Sequence, residues 1–293
     1  MRKTKLYMDT FVEIQVVTKG STEDAEDKIE RAFNAFYKVE QACSRFTSSS
    51  EVMQAAHMVG TPVKISPFLF EPLRFAIEMA RLTDGLFDPT VGKAMEQQGF
   101  NRHYLTGDLI ESPSAASVSY QDIILNEQTR TLTLKKPLVI DLGAVAKGFA
   151  IDLASHELEE FQGFVVNAGG DLYAGGLDEH GQPWKIGIQH PYQKEQVIDT
   201  IEISNQAICT SGSYERRNPA KSDLHHLMNP ITNQTPNEWV SASIIAPFAM
   251  MADAFSTASF LYGSEKAKGF IEEMNLKGIM VTPELQIVRA GGI

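Results

Sequence analysis

Two short segments of this 293-residue chain hold side chains whose types and spacing suit work on a phosphate through a cation. The first is Asp141-Leu-Gly-Ala-Val-Ala-Lys-Gly148. A buried apolar strand, Leu138-Val139-Ile140, is predicted to end in the acid; a turn of small residues follows, and a helix begins with Lys147 in its first turn. Lysine is unfavourable at that end of a helix dipole unless an anion lies nearby. Gly143 and Ala144 leave the backbone open, so its amides and carbonyls can reach a phosphate or a metal ion. An ordinary strand-to-helix turn with a solvated lysine accounts for the same residues. The second segment is Met251-Ala-Asp-Ala-Phe-Ser-Thr-Ala258. Asp253 and Thr257 stand one helical turn apart, share a face, and both present oxygen. Their small and apolar neighbours predict that this face is buried. A buried carboxylate needs a partner, and a hard cation with oxygen ligands is one. A helix cap or a hydrogen-bonded core aspartate is the other.

Further segments add polar turns. Asn167-Ala-Gly-Gly-Asp171 follows an apolar strand, and Gly169 and Gly170 allow a ligand close to the backbone. Thr210-Ser-Gly-Ser213 sets hydroxyls and a glycine at a strand end, suited to phosphate or ribose, though loops often carry such clusters. His225-His226-Leu-Met-Asn-Pro230 places paired histidines beside a turn, where acid–base or phosphate duty competes with a structural role. Gly85-Leu-Phe-Asp-Pro-Thr-Val-Gly92 is turn-rich around Asp88. No Gly-x-Gly-x-x-Gly after a strand, P-loop or His-Glu-x-x-His is present, so any nucleotide is held by other means.

The elements that must position these groups follow from periodicity. Val12, Ile14 and Val16 alternate as a half-buried strand. Ser21 or Thr22 caps a helix whose buried face is Ile29, Phe33, Phe36 and Cys43. Ser66-Pro67 opens another, which turns Leu69, Leu73, Ile77 and Ala80 inward and ends before Gly85. A hairpin is predicted over 122–135, a helix over 145–161, and a strand over 164–166. Three strands follow across 184–209, one over 241–245, helices near 249–262 and 264–275, and two closing strands within 278–290. Strands and helices mix without βαβ alternation, which predicts an α+β fold with mixed or antiparallel sheets and packed helices. No repeat or linker divides the chain, so 1–293 reads as one large domain.

Bulk properties narrow the function. A net charge of −11 argues against general nucleic-acid binding, which needs concentrated Lys and Arg. A dinucleotide held by a local cation and backbone amides is compatible with that charge. Cys43 and Cys209 follow no metal or disulfide spacing and read as buried thiols. The opening Met-Arg-Lys-Thr-Lys has no apolar stretch behind it, and no later run reaches membrane-span length. Cytoplasmic placement is therefore expected of the chain as written, with export or lipid anchoring if a leader has been removed.

In this order, the segments resemble the ApbE family, the FAD:protein FMN transferases. The resemblance runs through Met8-Asp-Thr10, Ser44-Arg-Phe46 with Ser50-Glu51, Gly85–Gly92, Asp141–Gly148, Asn167–Asp171, Thr210-Ser-Gly212, His226-x-x-Asn-Pro230, and Ala252-Asp-Ala254 with Thr257. It implies an ApbE-like, T-fold-like domain and Mg²⁺-assisted transfer of FMN from FAD to a Ser or Thr hydroxyl of an acceptor protein, releasing AMP. By the same resemblance the metal ligands are the Ala144 carbonyl and the Asp253 and Thr257 side chains. The FAD site draws on Met8, Asp88, Lys147, Gly169, Gly170, Asp171, Thr210, Ser211, Gly212 and His226. Lys147, His226 and Asn229 are the catalytic candidates, the first two as positive charge near the phosphates.

Two departures bear on this. The family's His-x-x-Asp-Pro is His-x-x-Asn-Pro here, and the amide of Asn229 cannot act as a carboxylate base or anionic ligand. If that residue only forms a turn, Asn serves as well as Asp; if it activates the acceptor, FAD binding and slow hydrolysis survive without transfer. The family's Arg-Thr-Gly after the proline becomes Ile231-Thr-Asn233, where Asn, like Gly, tolerates a left-handed backbone. An FAD pyrophosphatase and a non-catalytic flavin carrier are the rival readings.

Overall fold

The computed structural model describes residues 1–18, 20–103, 105–218 and 221–293. The chain begins with the strands β1 (Arg2–Tyr7) and β2 (Thr10–Val17). The helices α1 (Thr22–Cys43) and α2 (Glu51–Ala56), the short strand β3 (Val63–Lys64), and the helices α3 (Pro67–Leu82) and α4 (Gly92–Gln97) follow. The hairpin β4 (Ile123–Asn126) and β5 (Thr131–Leu134) leads to helix α5 (Ala146–His156). Then come β6 (Gly163–Ala168), β7 (Asp171–Gly176), β8 (Trp184–His190), β9 (Gln193–Ile203) and β10 (Gln206–Gly212). The chain closes with β11 (Arg217–Asn218), β12 (Lys221–His225), β13 (Ser241–Ala246), α6 (Ala249–Glu273), β14 (Lys277–Val281) and β15 (Ile287–Ala290). Every strand pairing among the described residues is antiparallel, and helices pack among the sheets, so the α+β expectation holds.

Backbone contacts divide the chain into two compact units. The first comprises Met1–Tyr37, Lys147–Tyr214 and Asn237–Ile293; the second comprises Lys38–Ala146 and Glu215–Pro236. In the first unit an eight-stranded sheet has the order β1-β2-β6-β7-β10-β13-β14-β15. Strand alternation sorts its two faces. From β10, Ile208 joins Leu172, Ala174, Ile245 and Ile279 against Trp184, Ile188, Ile201 and Ile203 of the β8–β9 hairpin. Cys209 and Ser211 point the other way, toward α6. The first half of α6 is buried on all sides from Ala252 to Leu261, which its alanines and serines permit because small side chains let the backbone lie close to its neighbours. It turns sharply at Gly263 (φ 70°, ψ −173°), a non-helical residue that separates two helical stretches, as the prediction of helices near 249–262 and 264–275 has it.

The second unit holds the three-stranded sheet β3-β5-β4 and the pair β11-β12 with α2, α3 and α4. Ser66-Pro67 does begin α3, and its predicted inward residues are buried. Pro72 inside this helix has no N–H for the Phe68 carbonyl, which instead accepts the Cys43 thiol at 3.3 Å.

Two predicted elements differ. Leu138, Val139 and Ile140 are buried but join no sheet. They run as irregular chain beside the 89–92 turn, with Asp141 N–H donating to the Pro89 carbonyl at 2.8 Å. An apolar run reports burial, not a ladder partner. The helix predicted over 145–161 spans only Ala146–His156.

The helices α5 and α6 meet through backbone at Gly148, where a Cβ would lie 2.4 Å from the Ala249 carbonyl oxygen. Gly148→Ala should therefore destabilise the protein by about 2 kcal/mol or more, the cost of forcing atoms into a packed contact. Gly269, on the exposed side of α6 with open space around it, should stabilise by about 0.5–1 kcal/mol on substitution by Ala. Urea denaturation of the two variants checks the contrast.

Candidate functional site

In the first unit the predicted residues converge on the contact between β10, α5 and α6. The Lys147 ammonium forms an ion pair with Asp171 at the start of β7, both largely buried. The other Asp171 oxygen accepts the Thr210 N–H at 2.9 Å. Burial works to lower the Lys147 pKa, but Asp171 and then Asp253 outweigh it and hold it raised, so this lysine is a fixed cation and no proton acceptor at neutral pH. The anion that a lysine in the first turn of a helix demands is thus supplied by the protein.

Asp253 is 4% exposed, and its Oδ2 accepts the Gly148 N–H at 3.1 Å. Burial pushes its carboxyl up to about 7 against the pull of Lys147. One turn on, the Thr257 hydroxyl lies 3.0 Å from that of Ser211, which is 2.8 Å from that of Ser256. Ser256 in turn donates to the Asp253 carbonyl at 2.8 Å. Thr210 and Ser243 share a further hydroxyl contact of 2.7 Å. Among the described residues there is no group of three or more His, Cys, Asp or Glu side chains placed to hold a metal ion. The Asp253–Thr257 pair offers one carboxylate and one hydroxyl from a single helix face, and Asp253 Oδ1 accepts no hydrogen bond among the described residues. Those oxygens fit a hard cation completed by other oxygen ligands.

Two turns lie at one end of the sheet. Tyr7 pairs with Thr10 and Ala168 with Asp171, which leaves Met8-Asp9 and Gly169-Gly170 as two-residue hairpin loops, all four residues with positive φ. Glycine meets that demand freely, whereas Met8 at φ 51° does not. A Cβ on Gly169 would sit 2.3 Å from the Thr10 hydroxyl, so the two turns touch. Gly212 ends β10 against the Tyr214 ring.

Asp88, Ala144, His226 and Asn229 belong to the second unit. Asp88 caps a short 3₁₀ turn, Pro89–Val91: its Oδ1 accepts from the Thr90 N–H and hydroxyl, and its Oδ2 from Tyr120 N–H, at 2.8–2.9 Å. Asp141 is an anchor. Its Oδ2 meets Arg45 Nε at 2.5 Å and its Oδ1 accepts the Gly143 N–H at 2.9 Å, which shapes the turn that carries Ala144. Burial alone would raise the Asp141 carboxyl, and Arg45 with the Gly143 amide holds it below its ordinary value. The guanidinium also stacks on Phe46, 4.2 Å from the ring centre. Of the histidine pair, His225 is buried with Nε2 2.8 Å from the Pro236 carbonyl, and His226 is partly exposed.

Asn229 forms a turn. Its Oδ1 accepts the N–H groups of Ile231 and Thr232 at 2.9 and 3.1 Å, and Asn233 closes the loop at φ 54°. A carboxylate oxygen would do the same, and the left-handed conformation expected of Asn233 is present.

Asp152 has no counterpart in the motifs. One turn beyond Gly148 on α5, its two oxygens accept the Ala249 and Met250 N–H groups at 2.6 and 2.9 Å and so cap α6 from outside. The available signal was an acid one helical turn after a glycine, which marks a face without naming its partner.

These features describe an antiparallel α+β protein whose polar site is made of buried acids, one lysine, hydroxyls and tight glycine turns. The sequence model of the ApbE family matches residues 8–280, and the chain belongs to that family. Among its relatives, the FAD:protein FMN transferase of Escherichia coli K12 is 29% identical over 278 residues, 89% of this chain and 74% of that protein. The Haemophilus influenzae protein of the same name is 27% identical over 285 residues, 92% and 82% of the two chains. The crystal structure of the ApbE protein of Thermotoga maritima superposes with a TM-score of 0.87 at 28% identity, covering 99% of this chain and 96% of that one. The flavin transferase ApbE of Vibrio cholerae shares the fold, with a TM-score of 0.82 at 22% identity over 99% and 96%.

Asp152 and Asn229 each lead to a measurable outcome. Burial raises the Asp152 carboxyl to about 6 despite its two amide donors, whereas in the unfolded chain an aspartate titrates near pH ~4. The folded state therefore holds this proton more tightly, and the stability it contributes is full below pH ~4, is lost as pH rises to ~6, and stays constant above. The stability difference between the parent protein and Asp152→Ala, read by urea denaturation, should shrink across that window. Asn229→Asp should leave the thermal midpoint within a few degrees, while Asn229→Ala should cost about 1 kcal/mol by unpairing two amides.

Proposed function

We propose that this chain transfers FMN from FAD to a Ser or Thr hydroxyl of an acceptor protein, with AMP as the leaving group and Mg²⁺ as the required cation. The observation that carries the reading is the oxygen pair of Asp253 and Thr257 beside the Lys147–Asp171 ion pair. The relatives named FAD:protein FMN transferase support it, since they match most of the chain.

In this reaction the acceptor oxygen forms a bond to the phosphorus of the FMN half, the bond from that phosphorus to the bridging oxygen breaks, AMP departs with the electron pair, and the hydroxyl proton is released to water. Mg²⁺ fits the sparse set of hard oxygens at Asp253 and Thr257, with the Ala144 carbonyl as the further ligand in this proposal, and supplies charge neutralisation at the pyrophosphate. Lys147, already protonated and anchored by Asp171, contributes a fixed positive charge that needs no reorganisation as charge builds on the leaving phosphate. The paired glycine turn at Gly169-Gly170 presents no side chain to obstruct a ligand, with Met8 on the neighbouring turn. Thr210, Ser211 and Gly212 contribute from the end of β10. Asp88 contributes through the turn it caps, and His226 supplies a second positive or hydrogen-bonding group. Asn229 enters as the residue that shapes the loop after His226, a role its amide performs.

The test is incubation with FAD, Mg²⁺ and an acceptor protein carrying a Ser/Thr flavinylation site, followed by mass spectrometry of the acceptor. A mass gain equal to FMN is expected. Free FMN with unmodified acceptor would show a pyrophosphatase, and intact FAD throughout would show a carrier. Asp253→Ala should lose all metal-dependent turnover; full activity in that variant would overturn the metal assignment.

A further inference from the structure

We propose that Ser211 and Ser256 are positioning residues: with Thr257 they form a one-way chain of hydroxyls that turns the Thr257 proton away from the cation site and leaves its oxygen as a lone-pair donor. The inference rests on the reading of Asp253 and Thr257 as cation ligands; it adds Ser256, which touches neither cation nor substrate, and gives Ser211 of the FAD site a second duty toward Thr257.

Counting protons fixes the direction of each bond. Each hydroxyl has one proton to donate and lone pairs to accept with. The Asp253 main-chain carbonyl has none to give, so at 2.8 Å the Ser256 hydroxyl must spend its proton there. The 2.8 Å contact between Ser256 and Ser211 can then be made only by the Ser211 proton. With that proton committed, the 3.0 Å contact between Ser211 and Thr257 can be made only by the Thr257 proton. The direction of all three bonds follows from the one acceptor that cannot reverse. Burial protects it: Ser256 is 0% exposed, Ser211 7% and Thr257 8%.

The arrangement also departs from the ordinary habit of helical threonine, whose hydroxyl folds back on the carbonyl one turn earlier. For Thr257 that carbonyl is the one belonging to Asp253, and Ser256 occupies it. Asp253 thus has two separate duties. Its carboxylate is a candidate ligand, and its main-chain oxygen is the terminus that orients the neighbouring ligand. A hydroxyl whose proton faced the site would meet a cation with the wrong end of its dipole, so the chain's direction suits cation binding and disfavours its reversal.

The experiment measures Mn²⁺ binding to the full chain by electron paramagnetic resonance titration, with and without ADP as an unreactive diphosphate, alongside urea denaturation. Ser256→Ala and Ser211→Ala should each weaken Mn²⁺ binding about tenfold, in the range usual for groups that orient metal ligands. Ser211→Thr, which restores a hydroxyl on a strand, should recover binding to within about twofold of the parent. In a Thr257→Val background, Ser256→Ala should have no further effect on Mn²⁺, because the hydroxyl it serves is gone; a merely structural role would add its loss again. The proposal is overturned if folded Ser211→Ala and Ser256→Ala bind Mn²⁺ as the parent does while Asp253→Ala and Thr257→Val do not; the cation reading then stands alone. If Asp253→Ala and Thr257→Val also bind normally, both fall together.

Discussion

The contact between α5 and α6 organises the first unit's site. It is a contact of backbone with backbone, possible because residue 148 has no side chain. Around it the two helices exchange polar bonds at their ends: the Gly148 amide to Asp253, and the Asp152 carboxylate to the first amides of α6. Asp152 satisfies donors that no intrahelical carbonyl can reach. Asp253 receives an amide at the start of α5, where the helix dipole favours an anion. One glycine therefore sets the separation of the helices that carry Lys147 and Asp253.

Charge follows from that separation. Asp171 and Asp253 are withdrawn from water around a single lysine. Lys147 is committed to Asp171, which leaves Asp253 under-compensated, with one oxygen bonded to an amide and its carboxyl raised by burial. A site one positive charge short in this way suits an added cation more than an added anion. The hydroxyls of Ser211, Ser256 and Thr257 supply the remaining oxygen without further charge.

The second unit handles its polar residues differently. Asp88, Asp141 and Asn229 all use side-chain oxygens to hold turns by accepting main-chain amides, and Arg45 supports the turn before α5 through Asp141. Motif residues that look chemical in a sequence here shape backbone. For Asn229 the turn-forming role is the one its hydrogen bonds show, and an amide oxygen suffices for it.

Local rules made much of this legible. Alternation and helical spacing located β2, α1 and α3 with their buried faces and placed β13 and α6, and the lysine at the start of α5 announced a nearby anion. The glycine pair at 169–170 announced a turn, though not the strand β7 that makes it a hairpin. Those inferences hold because each depends on residues near in sequence. The tertiary structure decided the rest. Leu138–Ile140 has the composition of a strand but finds no ladder partner, and Asp152 acts on amides nearly a hundred residues away. The polarity of the Thr257 hydroxyl depends on a serine from β10 and a carbonyl of its own helix meeting at one place. Spacing reports which face a side chain occupies; only packing of distant elements settles which atom it meets and which partner donates the proton.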